Sequence, residues 1–228
     1  MLDFFKILLE DSASRKPLAY LLNKKFFWKS EFYVNKNTII PSPDTEIIIE
    51  QILKVTKNKN YLKILDIGVG SGCILLSILK EKKIFYGTGI DISKNSLEIS
   101  RLNAKKLLVD NRAKFYKSDV DKFAQGKYDL VVSNPPYIKT SDLKYLESDV
   151  IKFEPKLALD GGLDGLSVIR KVIKKSSELL KKNGKFILEI GFDQKNKVIK
   201  LLNNKGFYIN STVKDLANND RCIISTKI

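Results

Sequence analysis

From Tyr61 onward, apolar runs of strand length alternate with stretches in which apolar residues recur every three or four positions. That alternation predicts a mostly parallel sheet covered by helices on both faces. Residues 63–67 read as a short buried strand ending in the glycine loop Gly68-Val69-Gly70-Ser71-Gly72, and 73–80 as the helix that follows. A second strand spans 84–90 and closes on Asp91, after which Ser93 is placed to cap a helix running to Leu108. Residues 114–117 form a third strand, followed by Asp119, and 128–133 a fourth, ending at Asn134-Pro135-Pro136-Tyr137. A long irregular stretch, 138–165, precedes a helix over 166–182 that Gly184 ends. Strand five spans 185–190, a helix 194–204, and the last two strands 207–213 and 222–227. No helix separates those two, so they are expected to be antiparallel neighbours.

The first 60 residues differ in character. Aromatic and β-branched residues over 26–40 suggest a β-hairpin or extended arm. Ser42-Pro43 opens a helix, with Ser42 as N-cap, Pro43 at the first helical position, and Asp44 and Glu46 in the first turn. The chain therefore divides into a short arm, hairpin and helix over 1–60 and an α/β domain over 61–228.

Composition narrows the chemistry. The hydrophobic share, 43%, is that of a globular chain. No apolar run approaches the roughly 20 residues of a membrane span. The start, with Asp3 and no small-residue cleavage site after an apolar stretch, does not read as a signal peptide. The two cysteines, Cys73 and Cys222, each sit in an apolar run and read as buried reduced thiols, which points to the cytoplasm. Lys and Arg together number 41 against 26 Asp and Glu, a net charge of +15, so RNA or the ribosome would be natural neighbours of a basic surface. The lysines are scattered, however, and a chain rich in Lys, Asn and Ile fits compositional bias equally well. Histidine is absent, which removes the commonest general base, any Ser-His arrangement and the usual catalytic zinc sets. Chemistry here has to rest on positioning.

The glycine loop falls at the carboxyl end of the first strand of the sheet, where open α/β sheets bind their ligands. Asp91 lies 19 residues after Gly72, at the end of the next strand, where a carboxylate accepts from ribose hydroxyls. Together they indicate an adenosine-containing cofactor. The G-x-G-x-G spacing, with Asp66 before it, favours S-adenosylmethionine over a dinucleotide, and Asp119 is placed to accept from the adenine amino group. Seven strands ending in an antiparallel pair likewise suit a class I (Rossmann-like) methyltransferase rather than a dehydrogenase. Asn134-Pro135-Pro136-Tyr137 explains the target. An amide or aromatic amino nitrogen is a poor nucleophile because its lone pair is delocalised. The Asn134 side-chain oxygen and the Pro135 carbonyl can each accept one N–H of the NH2 group, turning it towards the methyl donor. Pro136 fixes the backbone, and Tyr137 can pack against the planar group. No base is needed, since the alkylated nitrogen becomes acidic.

N-P-P-Y after a glycine loop occurs in DNA adenine-N6, ribosomal RNA guanine-N2 and protein glutamine-N5 methyltransferases, and flanking residues choose among them. Arg15-Lys16-Pro17-Leu18-Ala19-Tyr20 comes first, then Ile40-Pro41-Ser42-Pro43-Asp44-Thr45-Glu46, Ile64-Leu65-Asp66-Ile67 into the glycine loop, and Asn134 to Tyr137. Phe153-Glu154-Pro155, Ala158-Leu159, Gly161-Gly162, Asp164-Gly165 and Leu188-Glu189-Ile190-Gly191 follow. This order resembles the release-factor glutamine methyltransferase family, often called HemK or PrmC. The resemblance implies N5-methylation of the glutamine in the Gly-Gly-Gln motif of a peptide chain release factor. It also implies cofactor contacts from Gly68, Val69, Gly70, Ser71, Gly72, Asp91 and Val120, with Asn134 meeting both cofactor and substrate. A monomer without membrane attachment is expected. Three departures stand out: few residues before Arg15 where a helical domain is usual, Ser42 where Arg is usual, and Asn23 where Gly is usual. The runner-up is a nucleic-acid amino-group (adenine N6 or guanine N2) methyltransferase, although no segment is long enough for a separate target-recognition region. A non-catalytic binding protein of the same fold would be expected to show an altered glycine loop or N-P-P-Y, and both are intact.

Overall fold

A computed structural model describes residues 15–228, so the reading of the chain's first residues as leaderless lies outside the described residues. A single helical turn, α1 (Leu18–Leu21), leads into the hairpin of β1 (Lys24–Phe27) and β2 (Ser30–Tyr33), which pair antiparallel. Asn23 enters β1 with φ +51, a left-handed conformation. Asparagine tolerates that region better than other non-glycine residues, so the backbone absorbs the exchange at this position. Trp28 turns the hairpin, and its two nitrogens are held by carboxylates: the backbone N–H donates to Glu46 (2.6 Å) and the indole N–H to Glu81 (2.9 Å).

The expected helix does open at Ser42-Pro43, with the Ser42 hydroxyl accepting from the Asp44 amide at 3.2 Å. Its first turn, Pro43–Thr45, is 3-10, and α2 proper spans Glu46–Val55. Ile48, Ile49 and Ile52 fall on one face of α2 and bury against the sheet together with Phe27 and Phe32 of the hairpin.

The α/β region runs β3 (Lys63–Ile67), α3 (Cys73–Glu81), β4 (Tyr86–Asp91), α4 (Lys94–Lys106), β5 (Ala113–Lys117), β6 (Tyr128–Ser133), α5 (Ser148–Phe153), α6 (Ser167–Leu179), β7 (Leu180–Glu189), α7 (Lys195–Asn203), β8 (Phe207–Lys214) and β9 (Asp220–Lys227). The seven strands from β3 onward form one sheet in the order β5-β4-β3-β6-β7-β9-β8. β9 pairs antiparallel with both β7 and β8, as expected of the last two strands, and the remaining pairs are parallel. Period-2 alternation sends Ile64, Leu130, Val132, Ile187 and Ile224 to the α2–α3–α4 face. Leu65, Ile67, Val131, Leu188 and Ile223 go to the α6–α7 face.

Three differences from expectation stand out. β4 starts at Tyr86, because the Phe85 amide is taken by the Lys82 carbonyl in a turn that leaves Ile84 exposed. The helix read over 166–182 stops at Leu179: Leu180 pairs with Tyr128, and β7 then bulges before Lys185 pairs with Leu130. Gly184 therefore lies inside a strand, where a Cβ would meet the Lys181 carbonyl at 2.8 Å. Within the stretch read as irregular, residues 148–153 form α5, flanked by 3-10 turns.

Candidate functional site

A cavity of about 410 Å³ opens at the carboxyl ends of β3, β4 and β6, where the strand order reverses direction. Its cofactor-side wall begins with the glycine loop. The Gly68 and Val69 amides both donate to the Ile90 carbonyl, at 2.9 and 3.0 Å, folding the loop over the end of β4. From α4, the Ser100 hydroxyl donates to the Gly70 carbonyl (2.7 Å) and the Asn103 amide to the Ser71 carbonyl (2.9 Å). Gly72 begins α3 with φ +83, and a Cβ there would sit 2.8 Å from Leu76. Gly68, Val69, Gly70 and Ser71 line the cavity; Gly72 stands behind that wall. Cys73, expected to be buried, is half-buried on the cavity wall because it follows the loop directly, whereas Cys222 is buried.

Asp91 closes β4 and faces the same cavity. One of its oxygens accepts from the Gly70 amide (3.0 Å) and the other from the Ser93 amide (2.8 Å). Burial nevertheless raises its pKa, the backbone donors offsetting only part of the effect. Asp119 follows β5 and caps the 3-10 turn Val120–Lys122 by accepting from the Asp121 amide at 3.1 Å. Asp119 and Val120 both line the cavity, and Lys171, paired with Asp121 at 3.1 Å, stands beside them.

The opposite end of the cavity holds Asn134, Pro135, Pro136 and Tyr137. The Ser133 hydroxyl donates to the Ile67 carbonyl (2.7 Å), tying the end of β6 to the end of β3. Asn134 donates through Nδ2 to the Thr45 hydroxyl (3.1 Å), which itself donates to Glu189 at 2.8 Å. The Tyr137 hydroxyl approaches the other Glu189 oxygen at 3.4 Å, with the Arg221 guanidinium beyond it. Burial pushes the Glu189 carboxyl up to about 7, against the pull of Thr45 and Arg221. Burial also raises the Tyr137 phenol. Behind the tyrosine, the Gln194 amide donates to the Tyr137 and Gly165 carbonyls at 2.9 and 3.1 Å. Gly165 has φ +72, and a Cβ on it would lie 2.5 Å from the Tyr137 carbonyl oxygen. The 138–165 stretch thus clamps the backbone that presents Asn134.

Every site residue expected from the sequence except Gly72 meets at this one cavity. Sequence reasoning did not single out Thr45, Glu189, Gln194 or Arg221 as functional, nor the arm from Asn37 to Ser42 that forms a further wall. Thr45 and Glu189 do sit in two of the segments that carried the resemblance, Ile40 to Glu46 and Leu188 to Gly191; residue type alone gave no signal.

Residues 43–163 match the Methyltransferase small domain family. The release factor glutamine methyltransferase of Caulobacter vibrioides is 41% identical over 220 residues, covering 96% of this chain and 76% of that protein. That of Clostridium acetobutylicum is 38% identical over 216 residues, covering 93% of this chain and 76% of its own length. Among solved structures, ribosomal protein L11 methylase from Lactobacillus delbrueckii subsp. bulgaricus superposes with a TM-score of 0.62 at 20% identity, covering 82% and 81% of the two chains. That likeness speaks for the class I methyltransferase fold.

Proposed function

Because the chain belongs to the release factor glutamine methyltransferase family, we propose that it methylates N5 of the glutamine in the Gly-Gly-Gln motif of a peptide chain release factor, using S-adenosylmethionine. The cavity suits that cofactor. Its volume, about 410 Å³, lies within the usual range for small-molecule sites, and its wall pairs a glycine loop with a carboxylate at the end of the next strand. When bound, S-adenosylmethionine supplies an electrophilic methyl group. Gly68, Val69, Gly70 and Ser71 would admit the cofactor close to the backbone, with Gly72 holding the loop's far end. Asp91 would accept from the ribose hydroxyls, Asp119 from the adenine amino group, and Val120 would pack beside the ring.

The acceptor is handled by Asn134 to Tyr137. Asn134 Oδ1 and the Pro135 carbonyl each accept one N–H of the glutamine amide, which orients the nitrogen. Pro136 stiffens that turn and Tyr137 covers the planar amide. After alkylation the nitrogen sheds one proton to water, so a chain with no histidine is adequate to the task. The observation that carries this reading is the shared wall: Asn134 stands on the same cavity as the glycine loop and Asp91, with its Nδ2 already engaged by Thr45.

We further assign residues 61–228 as the methyltransferase domain and residues 1–60 as a short arm, hairpin and helix, of which Asn37 to Ser42 and Thr45 wall the cavity. We also propose that it works in the cytoplasm as a monomer, with its +15 charge favouring the neighbourhood of ribosomal RNA. Among the described residues no helix is long and apolar enough to cross a membrane. The test is mass spectrometry of a purified release factor and of total RNA after incubation with the enzyme and cofactor. One added methyl on the Gly-Gly-Gln glutamine, lost when that glutamine is replaced, supports the assignment. An unmodified release factor beside a methylated RNA base would install the nucleic-acid alternative.

A further inference from the structure

We infer that Thr45 and Glu189 are positioning residues that fix which end of the Asn134 carboxamide is offered to the acceptor; the inference rests on the role given to Asn134 above. All three side chains come from different elements. Thr45 ends the 3-10 turn before α2, Glu189 ends β7, and Asn134 follows β6. Thr45 is 3% and Glu189 2% exposed, and both touch the cavity. The polarity of the chain of bonds is what matters. A carboxylate has no proton, so it can only accept. Thr45 therefore directs its single hydroxyl proton to Glu189, at 2.8 Å, and has only lone pairs left for its other neighbour. Asn134 can satisfy those lone pairs only with its NH2 group, at 3.1 Å. Its Oδ1 is then the atom left over for the acceptor.

A carboxamide is close to symmetric in shape, so packing alone does not distinguish its two ends. Turned the other way, Asn134 would present N–H groups to an acceptor that also presents N–H groups, and the pair would repel. The Thr45–Glu189 relay makes the site read an acceptor that donates two N–H groups, which is the chemistry of a primary amide or amino group.

Glu189 must be ionised for the relay to run in this direction. The charged and titratable groups that face it are Asp44 from the turn before α2, Tyr137 from the loop after β6, Arg221 and Cys222 from β9, and Cys73 at the start of α3. Burial and Asp44 favour the proton; Thr45 and Arg221 oppose it, leaving the carboxyl at about 7. Below that value a protonated Glu189 can donate to Thr45, which frees the Thr45 proton for Asn134 and reverses the amide.

The test uses the full chain with S-adenosylmethionine and a release factor, comparing Thr45→Val, Thr45→Ser, Glu189→Gln and Asn134→Ala. Thr45→Val keeps the shape but lacks the hydroxyl; its kcat should fall roughly 10- to 100-fold, the range for removing a group that orients a ligand. Its cofactor Kd should stay within about twofold, and Thr45→Ser should recover most of the lost kcat. Wild-type kcat should decline as pH falls through about 7, and Glu189→Gln should lack that inflection. The inference is overturned if Thr45→Val turns over like wild type while Asn134→Ala is dead, or if Thr45→Val and Thr45→Ser are equally impaired. It is equally overturned if kcat and cofactor affinity fall in step, or if Glu189→Gln keeps the inflection. The Glu189 pH profile decides the matter should Thr45→Val not fold. An Asn134→Ala variant with near wild-type turnover would instead remove the parent reading of Asn134 itself.

Discussion

Replacing Asp91 with alanine separates the loop contacts its carboxylate makes from the ribose recognition proposed for it. In the free protein both oxygens are already engaged, one by the Gly70 amide at 3.0 Å and one by the Ser93 amide at 2.8 Å. Hydrogen bonds to a charged partner contribute about 1.5–3 kcal/mol each when fully sequestered. Here the carboxylate borders an open cavity and its backbone donors can find water, so losing both should cost the free protein only about 1–2 kcal/mol. Each oxygen keeps lone pairs for ribose hydroxyls, and their loss should weaken cofactor binding by about 1–3 kcal/mol, roughly 5- to 150-fold in Kd. The affinity drop alone does not distinguish ribose recognition from a slack glycine loop. A double-mutant cycle does: titrate wild type and Asp91→Ala calorimetrically with S-adenosylmethionine and with an analogue lacking the ribose hydroxyls. Wild type should discriminate against the analogue, and Asp91→Ala should hardly do so. If the variant discriminates as strongly as wild type, Asp91 only staples the loop and the ribose is read elsewhere.

Asn134→Ala should lower kcat by roughly 10²–10³, as for one placed transition-state dipole, with cofactor affinity nearly unchanged in the same calorimetric titration. Gly165→Ala brings a Cβ to 2.5 Å from the Tyr137 carbonyl at a left-handed position, so steady-state kinetics should show impaired turnover with little change in cofactor Kd. Asp66 is buried with neither carboxyl oxygen in a well-formed hydrogen bond, and burial pushes its carboxyl up to about 7, the nearby Leu75 amide offsetting this only in part. Such a group supports the fold fully below its unfolded value near 4 and loses that support as pH rises through about 7, so Asp66→Asn should raise the urea midpoint more at about pH 8.5 than at about pH 5.5. A variant less stable than wild type at both pH values would mean that the carboxylate is net favourable at the start of α3.

What the chain's pattern disclosed and what it hid divide along physical lines. β3 and β6 were legible because each is short, largely apolar and set off by a nearby glycine, and the placing of Asp91 and Asn134 at one cavity was legible because both stand at strand ends. The junction at Leu179 and Leu180 was not legible: both residues are apolar and buried, and only the pairing of Leu180 with Tyr128 ends the helix there. The start of β4 was misplaced for a similar reason. Ile84 looks like a strand residue, yet the turn that delivers Phe85 to the core leaves it facing solvent. Thr45 and Glu189 carry no local mark at all. Their meaning lies in a hydrogen-bond path between residues 144 positions apart, which only the fold brings together.

The same consideration changes the standing of the residues before the sheet. Pattern alone makes them an appendage to an α/β domain, but several of their residues along the cavity are tied to that domain. The Ser96 hydroxyl donates to the Asn37 carbonyl at 2.9 Å, and the Tyr20 hydroxyl to the Thr38 carbonyl at 2.7 Å. Glu154 accepts from the Ile40 amide at 3.3 Å, and Thr45 reaches Glu189. Apart from Tyr20, which belongs to α1 of the same arm, those partners lie on α4, the 138–165 stretch and β7. A loosened arm would therefore leave the cofactor wall intact while releasing Asn134 from Thr45. Methyl transfer to an amide nitrogen needs a dry pocket and an oriented nitrogen, and with no histidine to serve as base the orientation carries most of the burden. On the role proposed for Asn134, the segment outside the α/β pattern thus supplies, through Thr45, the contact that orients the acceptor.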